Sequence, residues 1–202
     1  YLITNQYIIF RLFPTTKATN LEMKKMACIL LFMGVVAALT AQQTGIKTNT
    51  VFLVTASPNM GIEFGLGEKF SLSIEGGYNP FQLKPELFWK HWFVQPELRR
   101  WYCHRYAGSF WGIHTFYAGY NVDVPKITRS RFEGSLYGAG VSYGYSWMLN
   151  NKWNLEATIG AGYARMLYDK YECGDCGEKL GSYSRNYYGP SKAAVSLIYF
   201  IH

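Results

Sequence analysis

The sequence predicts an all-β chain: about eight antiparallel strands closing as an up-and-down transmembrane β-barrel, preceded by a signal peptide. Three observations predict it. Segments of about ten residues alternate bulky apolar side chains with glycine, serine and a few charges. Turn residues separate those segments. Beyond residue 41 no apolar run approaches the ~18 residues of a membrane helix, so a closed set of strands is the remaining way through lipid.

Residues 1–22 show neither periodicity nor turn punctuation and read as spurious upstream translation, with Met23 as the start. Lys24 and Lys25 then form a basic n-region, and residues 27–39 form an apolar run of about 13 residues, too short to span a bilayer as a helix. Leu39-Thr40-Ala41 offers a small residue before Gln42 for cleavage, so 23–41 is the expected signal peptide and 42–202 the expected barrel domain. Without residues 1–41, Lys plus Arg falls from 20 to 16 and Asp plus Glu from 13 to 12, so the net charge drops from +7 to +4. That leaves no basic stripe to neutralise phosphates, and a nucleic-acid partner is not expected.

Each strand rests on its own alternation. Met60, Ile62, Phe64 and Leu66 stand against Asn59, Gly61, Glu63, Gly65 and Gly67. After the turn Gly67-Glu68-Lys69, Phe70, Leu72, Ile74 and Tyr78 stand against Ser71, Ser73, Glu75, Gly77 and Asn79, which makes a hairpin. Tyr137, Ala139, Val141, Tyr143, Tyr145 and Trp147 alternate with Gly138, Gly140, Ser142, Gly144 and Ser146. Past Asn150-Asn151-Lys152, the series from Trp153 to Tyr163 repeats the pattern, and Ala193, Val195, Leu197, Tyr199 and Ile201 end the chain. The expected strands fall at about 46–56, 59–67, 70–79, 91–102, 109–121, 132–148, 153–167 and 190–201, with a bulge at Pro96. Small residues on one parity suit the inside of a narrow barrel, and bulky ones on the other suit lipid.

Tryptophan placement and loop length point the same way. Trp101, Trp111, Trp147 and Trp153 lie at strand ends that meet at short turns, and Trp89 and Trp92 lie near the opposite rim, which reads as an aromatic girdle. The connections 67–69, 103–108 and 149–152 on one side are short, whereas three of the four on the other, 80–90, 121–131 and 168–189, are long and only Ser57-Pro58 is short, the asymmetry of outer-membrane barrels. The closing Leu197-Ile198-Tyr199-Phe200-Ile201-His202 is similar to the aromatic C-terminal strand that barrel-assembly machinery recognises.

The runs TASPNMGIEFG (55–65), GGYNP (76–80), KHWFVQPEL (90–98), YGAGVSYGY (137–145), WNLEATIGAGY (153–163), YECGDC (171–176) and SLIYF (196–200) together carry a resemblance. The chain resembles a family of uncharacterised small outer-membrane β-barrel proteins of gut-type Gram-negative anaerobes, whose genes often lie near fimbrial or mobile-element genes. The resemblance implies location and fold. The partners expected of such a barrel are outer-membrane lipid and lipopolysaccharide, then surface or fimbrial proteins. It carries no activity, catalytic residue or cofactor. The usual pattern lacks the tail before Met23.

Glu63, Glu75, Glu97, Arg99, Glu156 and Lys192 share the inward parity of their strands and can meet inside the barrel. Buried charges need partners, so a salt-bridge network filling the lumen is one reading. A gated ion path or proton relay is the sharper one. Cys173 and Cys176 form a CxxC in the longest outward loop, where a local disulfide, a metal site and a redox pair are the options, the disulfide first. His91, His104, His114 and His202 are scattered, and no hydrolase, zincin or P-loop motif is present, so no catalytic residue, metal or cofactor is expected. Function then reads as a non-enzymatic barrel presenting extracellular loops. The rivals are a membrane-embedded enzyme acting on lipid or lipopolysaccharide, for which His114 with a nearby serine is the candidate pair, and a narrow pore.

Overall fold

Alternating bulky and small residues allow a strand to present one face to each of two surroundings, and that pattern builds nearly the whole structure. The computed structural model describes residues 25, 43–80, 82–84, 87–123, 130–172 and 178–201, with side chains at all of these except 82–84, 87–89, 123, 130 and 172. The expected signal peptide apart from Lys25, the stretch 1–22, Cys173, Cys176 and the side chain of Trp89 lie outside that description.

Nine strands form one sheet: β1 (Thr44–Asn49), β2 (Asn59–Gly65), β3 (Phe70–Asn79), β4 (Gln82–Lys84), β5 (Leu87–Trp101), β6 (Gly108–Asp123), β7 (Ser130–Met148), β8 (Trp153–Glu172) and β9 (Lys179–Phe200). β1 pairs with both β2 and β9, and β3 pairs with β5 across the short β4, so eight strands close into an antiparallel up-and-down ring. Closure is what removes the sheet edges.

The packing is inside-out. Among the described residues nineteen polar or charged side chains are buried, against seven apolar ones, while Met60, Ile74, Ile113, Val141 and Ile159 face outward, exposed. On β3 the exposed apolar positions run from Phe70 to Tyr78, close to the roughly 9–11 residues that a tilted strand needs to cross a bilayer.

Three elements depart from the sequence expectation. The first strand stops at Asn49, whose side chain accepts a hydrogen bond from Val51 N (3.0 Å) and caps a short helix, α1 (Thr50–Val54). The first outward connection is therefore residues 50–58, not a two-residue turn. Second, residues expected as loop extend β8 and β9 to 20 and 22 residues. Ser182 to Tyr188 are exposed throughout, so neither face selects apolar residues and no alternation marks them. Third, Pro96 pairs with Ile74 in register, and the ladder from β5 to β6 lapses beside it without a shift. Among the described residues the register shifts lie elsewhere, at Gln82/Lys84 and, through extra residues in β9, at Gly160/Ala161 and Lys170/Tyr171.

At the short-turn end the β5–β6 connection folds across the barrel. Tyr106, with φ of 66° in the left-handed region, turns inward and its hydroxyl donates to Gln43 O (2.8 Å). Burial pushes its phenol well above the usual range, with the Glu63 carboxylate adding to the shift. Tyr106, Trp101, Phe110, Ile198 and Phe200 form the buried apolar cluster that seals this end. Trp101 is thus corrected from the girdle: it shares the parity of Glu97 and Arg99, is 1% exposed and packs 4.6 Å from Phe110. Trp92, Trp111, Trp147 and Trp153 point outward and are exposed, the last three at the short-turn end.

Candidate functional site

The barrel interior is layered, and each layer follows from the inward residues of the strands at that height. Above the aromatic seal lies a cluster of charges. Arg99, fully buried, donates from Nη1 to Glu63 Oε2 (2.9 Å) and Glu156 Oε2 (2.8 Å), from Nη2 to Glu156 Oε1 (3.0 Å) and from Nε to Glu97 Oε2 (2.8 Å). Its guanidinium stacks 4.5 Å over the Phe110 ring, which joins the charged layer to the seal. Lys192 Nζ reaches Glu75 Oε1 (2.8 Å) and Glu97 Oε2 (2.9 Å). All six residues expected in the lumen meet here.

A seventh was missed. Lys47 Nζ lies 2.7 Å from Glu75 Oε1, and its strand carries the signal, since Lys47 and Asn49 alternate with Ile46 and Thr48. Four carboxylates therefore face three cations. Hydroxyls supply the remaining donors: Ser71 Oγ donates to Glu63 Oε1 (2.6 Å), Thr158 Oγ1 to Glu156 Oε1 (3.1 Å) and Ser142 Oγ to Glu97 Oε1. The inward serines and threonine thus satisfy carboxylates as well as saving space. Gly112 has the second duty, because a Cβ there would meet Glu97 Oε1 and Ser142 Oγ, each at 2.8 Å.

Above the charges the bulge in β9 changes the chemistry. Gly160 pairs with Lys192 and Ala161 with Pro190, so Ser191 is the extra residue, and it lines the cavity above while Lys192 still reaches the charges. Bulges re-aim side chains in this way. Ser191 Oγ lies 2.9 Å from Nε2 of the buried His114. His114 Nδ1 has no hydrogen-bond partner among the described residues. Glu97 sits opposite His114 in the β5–β6 register, but its oxygens are engaged by Arg99, Lys192 and Ser142.

The cavity that Ser191 faces holds about 530 Å³ and is walled by Phe52, Phe93, Phe116, Leu136 and Met166, with Gln95 also on its lining. Phe52, from α1, packs 4.9 Å from Phe93. A wider, more polar space of about 1040 Å³ shares His91, Gly119 and Tyr120 with it and is framed by β3, β5, β6, β7, β8 and β9 at the long-loop end. The interior is a cup, closed below and wide above.

Residues 26–201 match a family described as protein of unknown function, DUF3575. The chain belongs to the DUF3575 family. No curated protein and no solved structure matches it. This DUF3575 barrel keeps its remaining candidates apart: His104 lies in the β5–β6 turn, His91 lies at the cup's mouth, and Cys103 is exposed at the short-turn end. Among the described residues no group of three His, Cys, Asp or Glu side chains is placed to hold a metal.

Proposed function

We propose that the chain is a closed, non-conducting barrel of a Gram-negative outer membrane whose tall end engages another component of the cell surface. The inside-out packing carries this reading: a belt of apolar side chains faces outward around a charged, filled interior. In water that belt costs solubility, and in lipid it is the favoured face. The aromatic seal and the charge cluster argue against a pore. The extended β7–β9 wall rises beyond a membrane's thickness. Its end carries Arg131, Arg165, Lys170, Lys179 and Arg185 against Glu133, Asp169 and Glu178 among the described side chains, with exposed Tyr183, Tyr187 and Tyr188. Basic, tyrosine-rich surfaces suit anionic lipopolysaccharide or a surface protein.

A membrane-impermeant maleimide tests the placement in intact cells carrying Cys173→Ser and Cys176→Ser. Cys103, at the short-turn end, is expected to label only after the outer membrane is broken, and Ser184→Cys to label at once. Equal labelling of both in intact cells contradicts the reading.

One observation favours a second reading, an enzyme acting on lipid: Ser191 and His114 stand at nucleophile-to-base distance beside an apolar cavity. Among the described residues no carboxylate meets His114 Nδ1 to orient the ring, as such pairs require. An alkyl fluorophosphonate decides. Labelling that Ser191→Ala and His114→Ala each abolish establishes the enzyme, and no labelling of the wild type favours the scaffold.

A further inference from the structure

We propose that the outer rim at the short-turn end is a binding surface for the phosphate groups of an anionic phospholipid leaflet, with Lys69, Arg100 and Lys152 as the cations that meet them. The inference rests on the reading that the apolar outer face lies in lipid, and it goes beyond that reading by naming the headgroup chemistry at the end opposite the tall wall.

Charge selects the occupant. The three short turns and the strand ends beside them, 66–70, 100–111 and 147–153, carry Lys69, Arg100, Arg105 and Lys152 against a single acid, Glu68. Every residue of these stretches is described. Arg105 is engaged within the chain, its Nη1 donating to Gly67 O (2.6 Å) and its guanidinium lying 5.2 Å from the centre of the Tyr106 ring. Lys69, Arg100 and Lys152 are exposed, and among the described residues none of them makes an ion pair. Residues 1–42 hold Arg11, Lys17, Lys24 and Lys25 against Glu22, so the sequence before β1 brings no surplus of acid to offset the rim.

Placement selects a lipid surface. β5 sets Arg100 between Phe70 of β3 and Trp111 of β6, and Trp111 pairs in turn with Tyr143 of β7, so the cation stands in an outward row of exposed aromatic rings. Lys69 adjoins Phe70, and Lys152 adjoins Trp153, whose ring packs 4.9 Å from Tyr199. Amphipathic rings collect at the boundary between acyl chains and headgroups, where a long basic side chain reaches the phosphates beyond them. Each such cation strengthens binding to an anionic leaflet about fivefold. An acidic protein approaching end-on would instead meet the turns themselves, where exposed Glu68, His104, Asn150 and Asn151 make a mixed surface.

Full-length barrel reconstituted in phosphatidylcholine bilayers tests the rim, with trace phosphatidylglycerol or phosphatidylcholine spin-labelled near the end of one acyl chain. Electron spin resonance then measures how much of each lipid is held against the protein. We expect phosphatidylglycerol to associate about threefold or more tightly than phosphatidylcholine in dilute buffer. The preference should fall toward equality in 1 M salt, where charges are screened beyond about 3 Å. Lys69→Gln, Arg100→Gln and Lys152→Gln together are expected to abolish it while the unboiled protein keeps its folded gel mobility. Arg100→Gln alone, expected to reduce the preference, replaces the triple variant if that does not fold. Arg165→Gln with Arg185→Gln, at the tall end, is expected to leave it unchanged. A preference that survives the rim substitutions, or one lost with the tall-end pair, overturns the proposal. Equal retention of both lipids by the wild type also overturns it, keeps the outer face in lipid and leaves the cations to an acidic partner. A barrel that holds neither lipid contradicts the lipid-facing reading itself, and this proposal with it.

Discussion

Arg99→Met is expected to prevent stable folding, and Arg99→Lys to fold with a lowered unfolding midpoint. Arg99 is fully buried and holds Glu63, Glu97 and Glu156 at once. Lys47 and Lys192 would then face four carboxylates alone, and Glu63 would keep only the hydroxyl of Ser71 and the more distant Lys47 (3.6 Å). Removing one partner of a buried ion pair costs about 3–5 kcal/mol, a large part of the 5–15 kcal/mol that holds a typical domain. Lysine restores the charge but cannot reproduce the fork that bridges three carboxylates. Urea unfolding followed by tryptophan fluorescence measures both variants, and an Arg99→Met protein with the wild-type midpoint would mean that these carboxylates are not buried as described.

The same layer shows how much of the site was legible. Parity alone brought Glu63, Glu75, Glu97, Arg99, Glu156 and Lys192 together, because each strand there has one face in the lumen and one outside, and a one-residue slip would reverse every side chain. Lys47 was legible by the same rule but was hidden by reading Thr50 to Val54, a run rich in β-branched residues, as more strand. Trp101 followed the parity of Arg99, yet its place at a strand end suggested an interface. The upper parts of β8 and β9 carry no alternation because the two faces there are alike, half-buried from Tyr168 to Tyr171 and exposed from Ser182 to Tyr188, so sequence offered a loop where the chain is a tall hairpin. Ser191 was illegible for a different reason: a bulge adds one residue to a face, and nothing in the period announces it.

Trp101→Ala is expected to be the most damaging change in the seal, costing about 3–5 kcal/mol by analogy with large-to-small replacement of buried aromatics. Its ring packs against Phe110 (4.6 Å) and Tyr106 (5.9 Å), and its Nε1–H donates to Ser71 Oγ (2.9 Å), the same hydroxyl that donates to Glu63. The loss therefore reaches both the apolar seal and the charged layer above it. Trp101→Phe keeps a ring and gives up the hydrogen bond, so its expected cost is only about 1–3 kcal/mol. The order alanine, phenylalanine, wild type in unfolding midpoint checks this arrangement. A Trp101 exposed on an outer rim would instead tolerate both changes to within about 0.5 kcal/mol.

Val141, 61% exposed midway along β7, lies on the apolar face that the proposed function sets in lipid around a polar, closed interior. The deciding measurement is fractionation of expressing cells, with the membrane protein run on a gel unboiled and boiled, for wild type and Val141→Arg. Wild type is expected in the outer membrane with a mobility that shifts on heating, and the arginine variant is expected to lose the shifted band, since a lipid-facing arginine near the midplane costs about 2–4 kcal/mol. A wild-type protein recovered soluble from the periplasm, with Val141→Arg folding equally well, would contradict it.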